Sequence, residues 1–187
     1  MKKIGFIGLG NMGKGMSINL SKESLQIIGY DINKKTYDNL KNQKILIADN
    51  LNQLMNDSEI IITMLPDGSA VKKVWSEIIG FSKQGQYLID CSTIDVKTSR
   101  LVQMQAEEKG LLTLDAPVSG GVIGADQGTL TFMVGGKSKI YDEMKFLFKI
   151  MGKNSILCGD EGSGQRAKIC NNMLLASTMI AVGESFN

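Results

Sequence analysis

The sequence predicts an α/β chain built on a doubly wound, mostly parallel sheet, and three observations carry that prediction. Short apolar runs alternate with longer amphipathic stretches, the rhythm of strand–helix–strand units. Residues 59–65 are almost continuously apolar (Ile60, Ile61, Ile62, then Met64 and Leu65), as a strand buried on both faces requires. Gly8-Leu9-Gly10-Asn11-Met12-Gly13 stands where the first apolar run would turn into a helix.

Taken in order, a strand at 4–9 leads into a helix at 11–21, and a strand at 25–30 into a polar helix at 34–42. A short strand at 45–48 and a weak helix at 50–56 precede the apolar strand, which Pro66-Asp67-Gly68 ends. A helix at 69–79, a strand at 87–90 and a helix at 95–109 follow, the last with Leu101 and Met104 on its apolar side. Then come a strand at 111–116, a loop at 117–128 and a strand at 129–134. Residues 137–151 set Ile140, Met144, Leu147, Phe148 and Met151 at helical spacing, and 154–158 is a last strand. Gly162-Ser163-Gly164 then turns into a final helix whose stretch 173–182 is apolar nearly all round. That stretch is too short to span a bilayer. It asks for burial on every face, by a partner chain or by further sequence.

Composition narrows the chemistry. With 43% apolar and 21% charged residues, the chain falls among ordinary globular proteins. A net charge of +2, with scattered lysines, gives no electrostatic footprint for nucleic acid. Cys91, Cys158 and Cys170 form no CxxC pair, so neither a disulfide framework nor a zinc site is indicated, and a reducing compartment fits. The chain has no histidine, which removes imidazole triads, imidazole proton shuttles and the commonest metal ligand. Acid–base work would fall to Lys, Asp, Glu, Tyr or Cys. Met1-Lys2-Lys3 runs straight into the first strand with no leader segment, so the expected compartment is the cytoplasm, or the mitochondrion after removal of a transit segment.

The glycine motif is the strongest chemical signal. Gly8 would allow the tight turn, Gly10 would let a pyrophosphate approach the backbone, and Gly13 would let the helix lie close to the sheet. The first helical turn, with Asn11 and Met12, would offer its unpaired N–H groups to the phosphates. Asp31 ends the second strand 18 residues beyond Gly13, near the spacing at which an acid binds adenosine ribose hydroxyls. A carboxylate there repels a 2′-phosphate, which favours NAD over NADP, a preference tempered by Lys34 and Lys35.

Weaker signals share the carboxyl ends of the strands, where open α/β sheets place ligands. Leu65 and Pro66 lie at one such end. Thr93 could donate to a cofactor or cap the next helix, a role for which Asp95 competes. Ser119 with the Gly120 and Gly121 amides could hold a carboxylate, or the stretch could merely turn; the residues leave both open. Cys91, with no histidine to activate it, reads as core. Lys168 and Asn172 lie one helical turn apart and share a face. Partial desolvation would lower the lysine's pKa and fit it for proton transfer. A solvated surface lysine followed by an Asn-Asn pair is the competing description.

Together these blocks resemble the β-hydroxyacid dehydrogenase family: the glycine motif, Ile62-Thr63-Met64-Leu65-Pro66, Ser92-Thr93-Ile94-Asp95, then 115–121, 128–136 and 164–175. The resemblance covers the chain in order. It implies a Rossmann-type domain at 1–160 and, at 161–187, the start of an inter-domain helix. It implies that Gly8, Gly10, Asn11, Met12, Gly13, Asp31, Leu65, Pro66 and Thr93 bind NAD. Ser119, Gly120 and Gly121 would hold the substrate carboxylate, and Lys168 would be the general acid/base with Asn172 assisting. No metal is implied.

The implied reaction is NAD-dependent oxidation of a 3-hydroxy acid, foremost 3-hydroxyisobutyrate to methylmalonate semialdehyde in valine breakdown. A related 3-hydroxy acid dehydrogenase or tartronate semialdehyde reductase, or a truncated binding module without turnover, are the alternatives. Gly15 and Val96 stand where the family usually has proline at loop-to-helix positions. The family continues into an all-helical domain that closes the cleft and forms a dimer or tetramer, and this chain ends before it.

Overall fold

The computed structural model describes residues 2–187, so Met1, where the sequence expects the chain to enter its first strand, lies outside it. The chain runs β1 (Lys3–Ile7), α1 (Asn11–Ser21), β2 (Gln26–Tyr30), a 3-10 helix (Lys34–Leu40), β3 (Ile45–Ile47), α2 (Leu51–Asp57) and β4 (Ile60–Thr63). It continues through α3 (Gly68–Gly80), β5 (Tyr87–Asp90), α4 (Val96–Glu107), β6 (Leu112–Asp115), β7 (Val118–Ser119) and α5 (Gly121–Gln127). It ends with β8 (Leu130–Gly135), α6 (Ser138–Met151), β9 (Gly152–Gly159) and α7 (Ser163–Phe186).

The sheet order is β3-β2-β1-β4-β5-β6-β8-β7, with β9 added alongside β8. The six strands from β3 to β6 are parallel, whereas β8 runs antiparallel to β6 and β7. Chain order reverses between β1 and β4, which is the switch point at which such sheets open a crevice.

Burial on both faces explains the isoleucine run. Successive strand residues point to opposite faces, so Ile60 and Ile62 join Ile4, Phe6, Met16, Leu20 and the α6 residues Met144, Leu147 and Phe148. Ile61 instead joins Leu54, Val71, Trp75, Ile78, Val102 and Ala106 of α2, α3 and α4. Truncating one of these isoleucines to alanine costs about 2–5 kcal/mol.

Several sequence expectations change. The stretch 117–128 is not a plain loop: it holds β7 and α5, and Asn19 Nδ2 ties α5 to α1 by donating to Ala125 O at 2.7 Å. Gly15 lies inside α1 rather than at its entry, and a Cβ there would sit 2.6 Å from Asp126 Oδ1 and 2.7 Å from the Ala125 carbonyl carbon. Its lack of a side chain is what lets α1 and α5 meet. The buried side of α4 is Ser99, Val102, Gln103 and Ala106, while Met104 is exposed. Residues 34–40 form a 3-10 turn, short and poor in apolar side chains, rather than an α-helix.

The last helix keeps its oddity. Only Gly164 and Gln165 of α7 are buried, while Met173, Leu174, Met179, Ile180 and Phe186 are 65% to 88% exposed. Among the described residues no helix is long and apolar enough to cross a membrane.

Candidate functional site

The crevice at the switch point is a cleft of about 870 Å³. Gly8, Gly10, Asn11, Met12, Gly13, Asp31, Leu65, Pro66 and Thr93 all line it. Ser119, Gly120, Gly121, Lys168 and Asn172 are not among its lining residues.

The three motif glycines differ in why they are glycine. Gly8 has φ 94°, and a Cβ on it would overlap the Met64 carbonyl of the neighbouring strand. A Cβ on Gly13 would overlap the Gly8 carbonyl and reach to 2.9 Å from the Phe6 ring. Gly10 meets nothing within 4 Å and is exposed, so the fold itself gives no reason for its bare backbone. Such a surface suits a group approaching from outside. Gly10 is also the N-cap of α1 and supplies no side-chain cap, so the first amides of that helix stay open. Elsewhere on this edge, Asn50, Asp67 and Asp95 each cap their helix with a side-chain oxygen. A pyrophosphate has what it needs at α1: open amides, the positive end of a helix and no side chain in the way.

Asp31 stands beside the glycine turn. Its Oδ2 accepts from Leu9 N and its Oδ1 from Asn33 N, both at 2.7 Å, so the carboxylate is fixed in place. Each oxygen keeps lone-pair capacity for a diol. Tyr37 braces the same residue, its hydroxyl donating to Asp31 O at 2.7 Å and accepting from Asp31 N at 3.0 Å. Tyr30, Ile32, Asn33, Thr36, Lys73 and Glu77 also line the cleft and were not singled out in the sequence. Ile32 carried a usable signal, a large apolar side chain in a polar loop, and it is 87% exposed.

Asp95 caps α4 by accepting from Thr98 N at 2.8 Å, and this bond holds its carboxyl below the usual range. Thr93 is thereby left to the cleft. Beneath it lies a buried polar layer. Asp90 Oδ1 accepts from Thr63 Oγ1 at 2.8 Å and from Ser92 Oγ at 2.5 Å, and Thr63 Oγ1 accepts from Trp75 Nε1 at 3.1 Å. Ser92 Oγ accepts in turn from Leu65 N at 2.9 Å, which fixes a cleft residue. Burial pushes the Asp90 carboxyl up to about 6. Cys91 is fully buried, and its thiol is pushed well up for the same reason, in line with a core role.

The second group of candidates sits farther along the strand ends. Ser119 is half-buried in β7, and Gly120 and Gly121 are exposed at φ 132° and 63° where α5 begins. Lys168 and Asn172 share the unbroken helix α7 and so lie one turn apart on one side of it. Lys168 is half-buried, and burial holds its ammonium below the usual lysine range. Asn172 is exposed, its Oδ1 accepting from Asn171 Nδ2 at 3.2 Å. The start of α7 is clamped by buried Asp115, whose Oδ1 accepts from Gly162 N at 2.8 Å and Oδ2 from Gln165 N at 2.9 Å.

A switch-point cleft with an open helix end and a fixed acid at the end of the next strand defines a dinucleotide-binding domain. Comparison with known proteins gives the family: residues 3–159 match the model described as the NAD binding domain of 6-phosphogluconate dehydrogenase, and the chain belongs to that family. Over 189 residues it is 43% identical to the probable mitochondrial 3-hydroxyisobutyrate dehydrogenase of Dictyostelium discoideum, covering 100% of this chain and 59% of that protein. It is 38% identical to the NAD-dependent L-serine dehydrogenase of Pseudomonas aeruginosa, covering 99% of this chain and 63% of that one. A solved structure of Mycobacterium tuberculosis 3-hydroxyisobutyrate dehydrogenase with L-serine superposes with a TM-score of 0.96 at 38% identity, covering 100% of this chain and 64% of that chain. The chain thus spans about three-fifths of the length of the relatives it matches.

Proposed function

We propose that the chain is the nucleotide-binding part of an NAD-dependent dehydrogenase of 3-hydroxy acids, with 3-hydroxyisobutyrate, oxidised to methylmalonate semialdehyde in valine breakdown, as its leading substrate. The observation that carries this is the gathering of the nine cofactor candidates on one cleft. On this proposal residues 1–160 form the binding domain and 161–187 begin an inter-domain helix. The cofactor, when bound, supplies the hydride acceptor. The open amides after Gly10, with Asn11, Met12 and Gly13, hold its pyrophosphate, and Asp31 takes the adenosine ribose hydroxyls. Leu65, Pro66 and Thr93 wall the nicotinamide half. Because Asp31 would repel a 2′-phosphate, NAD is favoured over NADP, although Lys34 and Lys35 lie exposed nearby.

Ser119 and the Gly120 and Gly121 amides anchor the substrate carboxylate. Lys168 accepts the hydroxyl proton as hydride leaves the alcohol carbon, and Asn172 holds the reacting oxygen or the ammonium. A lysine must be neutral to accept a proton, so the lowered pKa of Lys168 enlarges its competent fraction. Assembly into a dimer or tetramer would use a helical domain beyond this stretch. The free cysteines fit a reducing compartment, the cytoplasm or the mitochondrial matrix.

L-Serine and 3-hydroxyisobutyrate share a carboxylate and a primary 3-hydroxyl, so a panel of both with glycerate, each with NAD and NADP, resolves substrate and cofactor. In an enzyme that turns over, Lys168→Ala is expected to lower kcat by about 100-fold or more while NAD affinity holds. Turnover within a few-fold of the parent would remove Lys168 from this role. A second proposal, a binding module without turnover, is favoured by the exposure of α7 beyond its first turn. NAD binding by the 187-residue chain with no turnover of any panel member supports it, and turnover ends it.

A further inference from the structure

Gln165, in the first turn of α7, is fully buried, a place glutamine occupies only when its amide is paired. Its Nε2 donates to Ser92 O at 2.8 Å and its Oε1 accepts from Ile94 N at 3.1 Å. The partners fix the amide's orientation, since the reverse would set oxygen against carbonyl and NH₂ against N–H. Ser92 and Ile94 flank Thr93 on the cleft. The Ser92 hydroxyl also holds Leu65 N at 2.9 Å, so the second cleft wall shares the same anchor. Lys168 is three residues beyond Gln165 on the same helix. A side chain needed only to fill space would be Leu or Met; two directional bonds fix the helix's rotation and height as well.

We propose that Gln165 is a positioning residue for Lys168, tying the first turn of α7 to the Ser92–Ile94 loop so that a dinucleotide in the cleft also steadies the lysine's helix. This rests on the dinucleotide reading of the cleft. Asp115 anchors the helix start from below through the Gly162 and Gln165 amides, and Gln165 transmits the state of the cleft wall from the side.

Amide-resolved hydrogen exchange on the 187-residue chain tests this without requiring turnover. At NAD about 100-fold above its Kd, amides that open only after the cofactor leaves slow by about 100-fold. In the parent chain this slowing is expected at Leu65, Thr93 and Ile94 and, through Gln165, at residues 165–168. In Gln165→Met the slowing is expected to persist at Leu65 and Thr93 and to vanish at 165–168. Gln165→Glu keeps an acceptor for Ile94 N but lacks the donor to Ser92, and the same split is expected; it serves if the Met variant does not fold. A variant whose exchange at 165–168 is faster overall yet still slows with NAD as in the parent would make Gln165 a packing residue and overturn the proposal. So would a parent chain that slows at Leu65 and Thr93 but not at 165–168. No slowing at any cleft amide would overturn the dinucleotide reading itself, an outcome distinct from the other two.

Discussion

Helices α1 and α7 both begin after a glycine that supplies no side-chain cap, Gly10 in one case and Gly162 in the other. At α1 the amides after Gly10 open toward the cleft. At α7 the Gly162 and Gln165 amides are already taken by the carboxylate of Asp115. A helix start attracts negative charge. In α7 the fold provides that charge from β6, and the helix is left to carry side chains. At α1 the nearest carboxylate, Asp31, accepts from Leu9 N just ahead of the N-cap, and the helix amides themselves have no side-chain cap. Two similar glycine turns thus differ, one leaving its helix amides uncapped and the other having them fixed by a carboxylate.

The comparison can be broken most forcefully at Gly13. Gly13→Ala drives a Cβ into the Gly8 carbonyl and toward Phe6, with expected losses of about 3 kcal/mol of stability and of NAD binding. Urea unfolding followed by the fluorescence of Trp75, the chain's one tryptophan, reads the first loss.

Nearly as large is a pH effect from Asp90. Its carboxyl titrates near 6 in the folded chain against about 4 unfolded. Between those values the folded state holds the extra proton, so stability falls as pH rises and the loss is complete above about 6, roughly 3 kcal/mol in all. Asp90→Asn should flatten the stability curve over pH 4 to 6 relative to the parent, leaving only the same-signed slope from Asp115, whose carboxyl burial also raises. An unchanged slope would show that Asp90 is not the group involved.

Asp115→Asn is expected to cost about 2 kcal/mol by weakening the charge-assisted bonds it accepts from Gly162 N, Gln165 N and Gln103 Nε2, and to loosen the start of α7 while leaving NAD affinity intact. Equal loss of NAD affinity would erase the contrast between the two helices. The smallest effect belongs to Asp95→Ala, which removes an ordinary cap at about 1 kcal/mol and leaves NAD binding unchanged by calorimetry.

The cleft was legible in the sequence because its residues announce themselves. Glycines at fixed offsets, an acid at a strand end and a proline after a strand have few uses other than turning or receiving a ligand. The buried layer was not legible. Asp90, Ser92 and Gln165 look like ordinary polar residues, and their work lies in contacts such as Leu65 to Ser92 and Gln165 to Ser92, 27 and 73 positions apart. The buried face of α4 is hidden for a related reason: Gln103 is buried with its Nε2 donating to Ser99 Oγ at 3.1 Å and Asp115 Oδ1 at 3.3 Å, and Met104 takes the outside. Glycine density hid α5, since Gly121 and Gly124 within it and Gly120 and Gly128 at its ends suggest a loop more readily than a helix.

On the function proposed above, the open end of α1 receives a dinucleotide. An amide chemical-shift titration of the 187-residue chain with NAD tests it directly. Saturable shifts are expected, largest at Asn11, Met12 and Gly13 and present at Ile32, Leu65 and Thr93. Absence of saturable shifts at the α1 amides, or shifts centred on Gly162–Gln165 instead, would contradict it.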